Sequence, residues 1–327
     1  YPDEIYSAAF NSDGTRVVTT SEDGTARVWD AASGEQLVVL EVRGGVYFAA
    51  FSPDGMRVIT VNGGGMARVW DVVGDSPPVL LSGHGAAVSS AAFSPDGTRV
   101  VTASEDGTAR LWNTQGNEPL AELRWDAPGV PSAAFTSDGT SVVMTNDDGT
   151  ARVWDAASGE VLGVLRGHAS QVHPAAISPD GKRMVTLSSG LTAQLWDPGR
   201  DKPFTAPEWH TDGVVSAAFS PNGTWVVTAL DGLPPGILDN NEHVYAQLRV
   251  WNALSGELVA ELDGPESTID IVGVSSDGTR VLTTSGKNVV LWNATSGKAH
   301  TQLDGHERGV SSAMFSPDGT RVVTASD

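Results

Sequence analysis

The sequence predicts an all-β fold, a β-propeller of four-stranded antiparallel blades. Three observations predict it. Asp-Gly or Asn-Gly recurs at Asp13, Asp54, Asp96, Asp138, Asp180, Asn222, Asp277 and Asp318, with spacings of 41, 42, 42, 42, 42, 55 and 41. A Trp recurs at Trp29, Trp70, Trp112, Trp154, Trp196, Trp251 and Trp292, with spacings of 41, 42, 42, 42, 55 and 41. Each period holds four short β-type runs and no helical run. Two landmarks keeping one period of this length mean a repeat architecture, and four strands per repeat select a propeller over a helical solenoid.

The stretch from Val88 to Asn113 shows the unit most clearly. Val88–Phe93, Thr98–Ala103 and Thr108–Trp112 are rich in β-branched and small residues. Pro95-Asp96-Gly97 and Glu105-Asp106-Gly107 separate them. Asp-Gly between such runs signals a hairpin, because Gly accepts the positive φ of a tight turn. A fourth run, Pro119–Leu123, follows the turn at Gln115-Gly116-Asn117. Near-identical repeats such as TRVVTTSEDGTARVWD and TRVVTASEDGTARLWN mark scaffold, so function is expected where the pattern breaks.

Taken in order, the chain opens in a first strand, Tyr6–Phe10, and ends on Val310–Ser326, the first two strands of an eighth repeat. Seven full repeats plus half of one suggest a single propeller domain over residues 1–327, as a piece of a longer array. Two ring closures fit. In a seven-blade ring the Val310–Ser326 hairpin pairs with the strands around Trp29 and Leu37–Leu40 and displaces the Tyr6–Thr20 hairpin. In an eight-blade ring the last blade has two strands and an open edge. First strands carry small residues, as in Ser89-Ser90-Ala91-Ala92 and Ser216-Ala217-Ala218, which suits crowding near an axis. Phe10, Phe51, Phe93, Phe135, Phe219 and Phe315 end these strands and are expected to fill the space between blades. Trp225, which stands where Arg99 stands in its own repeat, is read as packing. Repeat six carries 13 extra residues within Leu230–Gln247, including Pro234-Pro235 and the cluster Asp239-Asn240-Asn241-Glu242. A loop of this kind on a rigid scaffold is where binding residues tend to sit.

Composition narrows the function. The formal net charge is −20, from 40 acidic and 20 basic residues. That charge favours solubility and disfavours nucleic acid as a ligand, since phosphate backbones are repelled. There are no cysteines, which excludes disulfides and thiolate chemistry. No apolar run reaches the ~18 residues of a membrane span, so no membrane partner is expected. The compartment stays open, with the cytoplasm favoured.

Trp followed by Asp or Asn closes each full repeat, from Trp29-Asp30 to Trp292-Asn293, and Gly-His precedes the first strand at Gly83-His84, Gly167-His168 and Gly305-His306. On these motifs the chain resembles the WD-repeat propeller family. The resemblance implies a buried hydrogen-bonded set of His, Ser/Thr, Asp and Trp, and the complete set here is His84, Thr102, Asp106 and Trp112. His84, Asp106 and Thr102 look like a catalytic trio on paper, but the groups of the set are expected to satisfy one another inside the blade. Other repeats depart from the set: Gly64 replaces the Asp in repeat two, Met144 the Thr and Asp126 the His in repeat four, and Gly190 the Asp in repeat five.

The resemblance also implies that loops before first strands and after second strands share one face. That face would carry the insertion, with Asp239, Glu242 and Tyr245, together with Arg43, Trp125, Trp209 and Arg308. Glu105, Asp147 and Glu307 would join them. Trp125 and Trp209 replace the Gly of Gly-His, and each is either an interface anchor or a packing substitute for the missing cap. No metal or cofactor is expected. The Asp239–Glu242 oxygens lack the calcium-loop spacing, His210 and His243 are too few for zinc, and Gly63-Gly64-Gly65 has no helix behind it. The implied function is a non-catalytic scaffold or sensor for protein partners. A glycan or small-ligand propeller using Trp125, Trp209 and Tyr245 is one alternative, and an enzyme with its site at the channel mouth is another. Either alternative predicts a deep polar pocket, whereas a scaffold predicts a broad, shallow face.

Overall fold

The computed structural model describes residues 4–42, 44–74, 76–125, 129–130, 132–146, 150–166, 172–178, 180, 183–188, 193–196, 214–230, 247–263, 269, 271–294 and 296–326. The chain divides into two compact units, Tyr1–Val164 and Leu165–Ser326, and the described residues of both form strands and turns only. No described helix is long and apolar enough to cross a membrane.

The first unit holds four antiparallel sheets in chain order, one per repeat. Blade one is Ile5–Phe10, Arg16–Ser21, Thr25–Asp30 and Gln36–Glu41. Blade two is Val46–Phe51, Arg57–Asn62, Ala67–Asp71 and Val79–Leu81, and blade four is Ser132–Phe135, Ser141–Thr145, Thr150–Asp155 and Val161–Arg166. Blade three is Val88–Phe93, Arg99–Ser104, Thr108–Asn113 and Pro119–Arg124, within a residue of the runs read from sequence at each end. The hairpins form where Asp-Gly stands. Gly97 takes a φ of 68°, its N–H donates to the Ser94 carbonyl at 2.8 Å, and the Asp96 carboxylate accepts the Thr98 N–H at 3.0 Å. A side chain at that φ is strained, so Gly fixes the register of the blade.

The second unit holds the remaining repeats. A sheet of Val172–Ile177, Met184–Ser188 and Ala193–Trp196 is followed by two four-stranded sheets and a two-stranded one, Val310–Phe315 with Val322–Ser326. Leu230 pairs directly with Gln247, so the repeat-six insertion leaves and re-enters the blade without disturbing its register. The insertion itself, 231–246, lies outside the described residues. Of the two pairings left open by the sequence, the one that displaces the Tyr6–Thr20 hairpin is not formed: that hairpin pairs through Val17–Trp29 and its neighbours into its own repeat's sheet, while Val310–Ser326 stands as a separate sheet.

Each unit's core lies between consecutive sheets. Val101, Leu111 and Leu123 of blade three pack against Ala133, Val142 and Trp154 of blade four, and Val227, Leu248 and Leu262 pack the same way on Val274, Val281 and Trp292. Small first-strand residues, among them Ala91, Ala133 and Ala217, are buried. A repeated latch ties neighbouring blades. Arg99 of blade three stacks over Phe135 of blade four at 5.3 Å from the ring centre, and its Nη2 donates to the Gly139 carbonyl at 2.7 Å. Arg57 does the same to Phe93 and Gly97, and Arg280 to Phe315 and Gly319. The Phe at the strand's end therefore fills the space between blades and also receives a cation. Trp225 stands in the Arg position, and a Cβ on Gly278 would come within 3.2 Å of its Cδ1, so the indole packs on the next blade's turn.

Candidate functional site

The polar set of blade three closes on itself. The Trp112 Nε1–H donates to Thr102 Oγ1 at 2.8 Å, His84 Nε2 meets the same hydroxyl at 2.7 Å, and His84 Nδ1 meets Asp106 Oδ2 at 3.0 Å. The His84 side chain is fully buried. Burial lowers its pKa, and the hydrogen bond and charge of Asp106 pull it only partly back. The imidazole is thus neutral near pH 7. Asp106 can only accept, so Nδ1 carries the proton, and the Thr102 hydroxyl donates to Nε2 while accepting from Trp112. Burial pushes the Asp106 pKa up, but bonds from Thr108, the Gly85 N–H and His84 outweigh it and hold the pKa at about 2. Every donor in this trio has an acceptor, which leaves no lone pair aimed at a substrate.

The Trp-to-Thr bond recurs across the repeats: Trp29 to Thr19, Trp70 to Thr60, Trp196 to Thr186, Trp251 to Thr228 and Trp292 to Thr283, all between 2.6 and 2.9 Å. Blade four breaks it. Met144 replaces the Thr, and Trp154 Nε1 is buried with no partner among the described residues. Trp112→Phe therefore deletes a hydrogen bond, whereas Trp154→Phe deletes none. Urea denaturation is expected to show Trp112→Phe destabilising by about 1–2 kcal/mol more than Trp154→Phe. Equal losses would mean that the indole bond contributes nothing.

The candidate binding residues separate. Trp125 is 5% exposed, packs in the core between blades three and four, and lies under the Arg152 guanidinium at 4.2 Å. Of its two readings the packing one describes its position, and its ring is not offered as an interface anchor. Arg308, Glu105 and Glu307 are exposed. Arg43, Trp209, Asp239, Glu242 and Tyr245, with Asp147, His210 and His243, lie outside the described residues. No group of three or more His, Asp or Glu side chains placed to hold a metal occurs among the described residues. A pocket of about 330 Å³ opens beside Trp70, where Pro77-Pro78 shortens the fourth strand to Val79–Leu81. Its Arg57 is already committed to the Gly97 carbonyl at 2.9 Å.

The two ends of the blades differ in kind. At the first-hairpin end, one turn is repeated with little change: Ser52 on Asp54, Ser94 on Asp96, Thr136 on Asp138, Ser275 on Asp277. These groups satisfy one another locally. At the other end, the second residue of the first strand is exposed and changes identity from blade to blade: Tyr47, Ser89, Val215 and Ser311. Sequence reasoning grouped these strands as small and axial, and so missed Tyr6 and Tyr47. The available signal was an aromatic residue where Ser89 and Ser311 stand.

Tyr47 is 56% exposed, and its ring meets that of Tyr6 with centroids 5.1 Å apart, tilted at 39°. Two glycines lie against it. A Cβ on Gly63 would lie 3.4 Å from Tyr47 Cε2, and one on Gly45 would lie 3.7 Å from Cζ and the hydroxyl oxygen. One repeat later the same positions are Ala87 and Glu105, beside Ser89. Repeat two also has Gly64 and Val42 where repeat three has Asp106 and His84. Blade two has thus exchanged the buried polar cap for a surface aromatic ring.

The family model of the WD domain, G-beta repeat, matches residues 2–30, 34–71, 76–113, 117–155, 202–233 and 297–327, more than half of the chain. No curated protein matches it. With the Trp–Asp periodicity, the antiparallel four-stranded blades and the His84–Thr102–Trp112 set in place, the chain belongs to the WD-repeat family of β-propellers.

Proposed function

We propose that the chain is a non-catalytic scaffold that recognises a protein partner through the loops and strand ends opposite the Ser-Pro-Asp-Gly turns. WD-repeat propellers commonly serve as platforms for protein–protein interaction. The observation that carries the reading is the contrast between the two blade ends. One is uniform and locally satisfied, whereas the other varies in its exposed residues, Tyr47, Ser89 and Val215 among them. Variation on a constant frame is how a scaffold acquires a specific surface. Among the described residues, the trio that resembles catalytic machinery, His84, Thr102 and Asp106, uses its hydrogen bonds internally. The net charge of −20 favours a protein partner over nucleic acid.

The test is capture from native lysate on the immobilised chain. Two variants alter the proposed surface: Tyr47→Ala, and replacement of residues 233–245 by a two-residue turn. A third, Thr98→Ala, alters the opposite end. Capture should be lost in at least one of the first two and survive in the third. Equal capture by all three removes this surface from the reading, and turnover of a small substrate by the wild-type chain removes the scaffold reading itself.

A further inference from the structure

We propose that the Tyr6–Tyr47 pair is a docking point for a cationic side chain, Arg or Lys, carried by a basic peptide segment of the partner. The inference rests on the scaffold reading and gives that surface its chemistry. Three observations lead to it. Tyr47 is largely exposed, and the Tyr6 ring meets its ring at 5.1 Å, so two π-systems converge on one spot. The ring lies against Gly45 and Gly63, where a Cβ would meet it at ordinary contact distances of 3.7 and 3.4 Å, so this side of the ring is covered by backbone. The surroundings are acidic. Glu22 is exposed and its Cα lies 3.9 Å from the Cβ position of Gly45, while its N–H donates to the Glu4 carbonyl at 2.9 Å.

An exposed ring close to the exposed Glu22, on a chain of net charge −20, has one good ligand class. The ring quadrupole attracts a cation at its face, and the excess negative charge supplies the long-range field that brings it there. A neutral apolar side chain would find the ring but leave Glu22 to be desolvated without return, and an acidic one would be repelled by both. The same pairing already operates inside this molecule, where Arg99 sits on Phe135 and Arg152 on Trp125. At Tyr47 the ring is turned outward instead.

The experiment is a titration followed by NMR on chain labelled at its tyrosine rings, of which there are four. The probe is the capped peptide Gly-Gly-Arg-Gly-Gly. Its comparison is the same peptide with citrulline, which keeps the planar shape of Arg but carries a carbonyl oxygen in place of one nitrogen and no charge. The Arg peptide should shift the Tyr47 and Tyr6 signals, and the citrulline peptide should need on the order of two- to fivefold more for the same shift. Tyr47→Phe should bind as the wild type does. Tyr47→Ala, followed on Tyr6, and Glu22→Gln should each weaken binding on the order of two- to fivefold, with Tyr47→Ala the stronger.

Absence of a shift, or equal shifts with Arg and citrulline, overturns the proposal. So does a Tyr47→Ala variant that binds as well as Tyr47→Phe. Capture of a protein partner without a Tyr47 shift overturns the cation assignment and leaves the scaffold reading standing. A Tyr47 shift without any capture does the reverse.

Discussion

Thr102→Val is expected to destabilise the chain by about 2–5 kcal/mol, more than the same change at Thr60. Val keeps the shape of Thr, so the packing of this fully buried position is nearly unchanged. What disappears is one hydroxyl with two duties. It accepts from Trp112 Nε1 at 2.8 Å and serves His84 Nε2 at 2.7 Å. Without it both ring nitrogens are buried and unpaired, and each costs about 1–3 kcal/mol of desolvation. Thr60→Val is the proper comparison. Thr60 accepts only from Trp70, at 2.8 Å, because repeat two has no His in this place. Its loss is expected to cost about 1–3 kcal/mol. Urea unfolding of the two variants measures the difference. If Thr102→Val and Thr60→Val are alike, His84 does not depend on the hydroxyl, and the three-residue chain is two independent pairs.

The same positions show what could be read from sequence and what could not. Asp-Gly at fixed spacing located the hairpins, because a turn's chemistry is local and Gly97 must take a positive φ whatever surrounds it. The His84–Thr102–Asp106–Trp112 set was readable because the repeats supply the comparison that one copy alone would not. Trp125 was left between two readings, loop anchor and packing substitute, because the choice depends on Val101 and Met144, which are distant in sequence. Tyr47 was passed over, because first strands were read for their small residues and nothing in Val46–Phe51 marks which side chain the fold leaves exposed. Exposure is set by neighbours distant in sequence, so periodicity reports the frame and not its surface. The insertion at 231–246 was readable only as an interruption, for it matches no other repeat.

Acid should unfold the chain in two steps, and the two have different owners. His84 is the upper one. Burial keeps its folded pKa below the ordinary value, so once pH falls beneath about 6.5 the unfolded chain takes up a proton that the folded chain refuses. Stability contributed by the neutral ring is therefore complete above that pH and declines below it. The carboxylates own the lower step. Asp96 and Asp277 are held to about 2, first by the hydroxyls of Ser94 and Ser275 and then by the N–H groups of Thr98 and Thr279. Asp106 is held to about 2 against the effect of its own burial, and Asp318 reaches the same value through Ser316. Their contribution is present above the unfolded carboxylate pKa, near 4, and is lost as pH falls toward 2. One effect opposes both. With a net charge of −20, protonation at first relieves self-repulsion and stabilises the compact state. High salt removes that effect, since at 0.5 M the Debye length is about 4 Å while the turn hydrogen bonds are shorter than this. Urea midpoints taken in 0.5 M salt should be level above pH 6.5, decline modestly as pH falls below 6.5, and fall steeply below 4. His84→Gln should lose the modest decline and keep the fall. A wild-type midpoint that stays level to pH 3 would show that the repeated Ser–Asp turns do not hold the blades, and a modest decline that survives in His84→Gln would assign the upper step to another histidine.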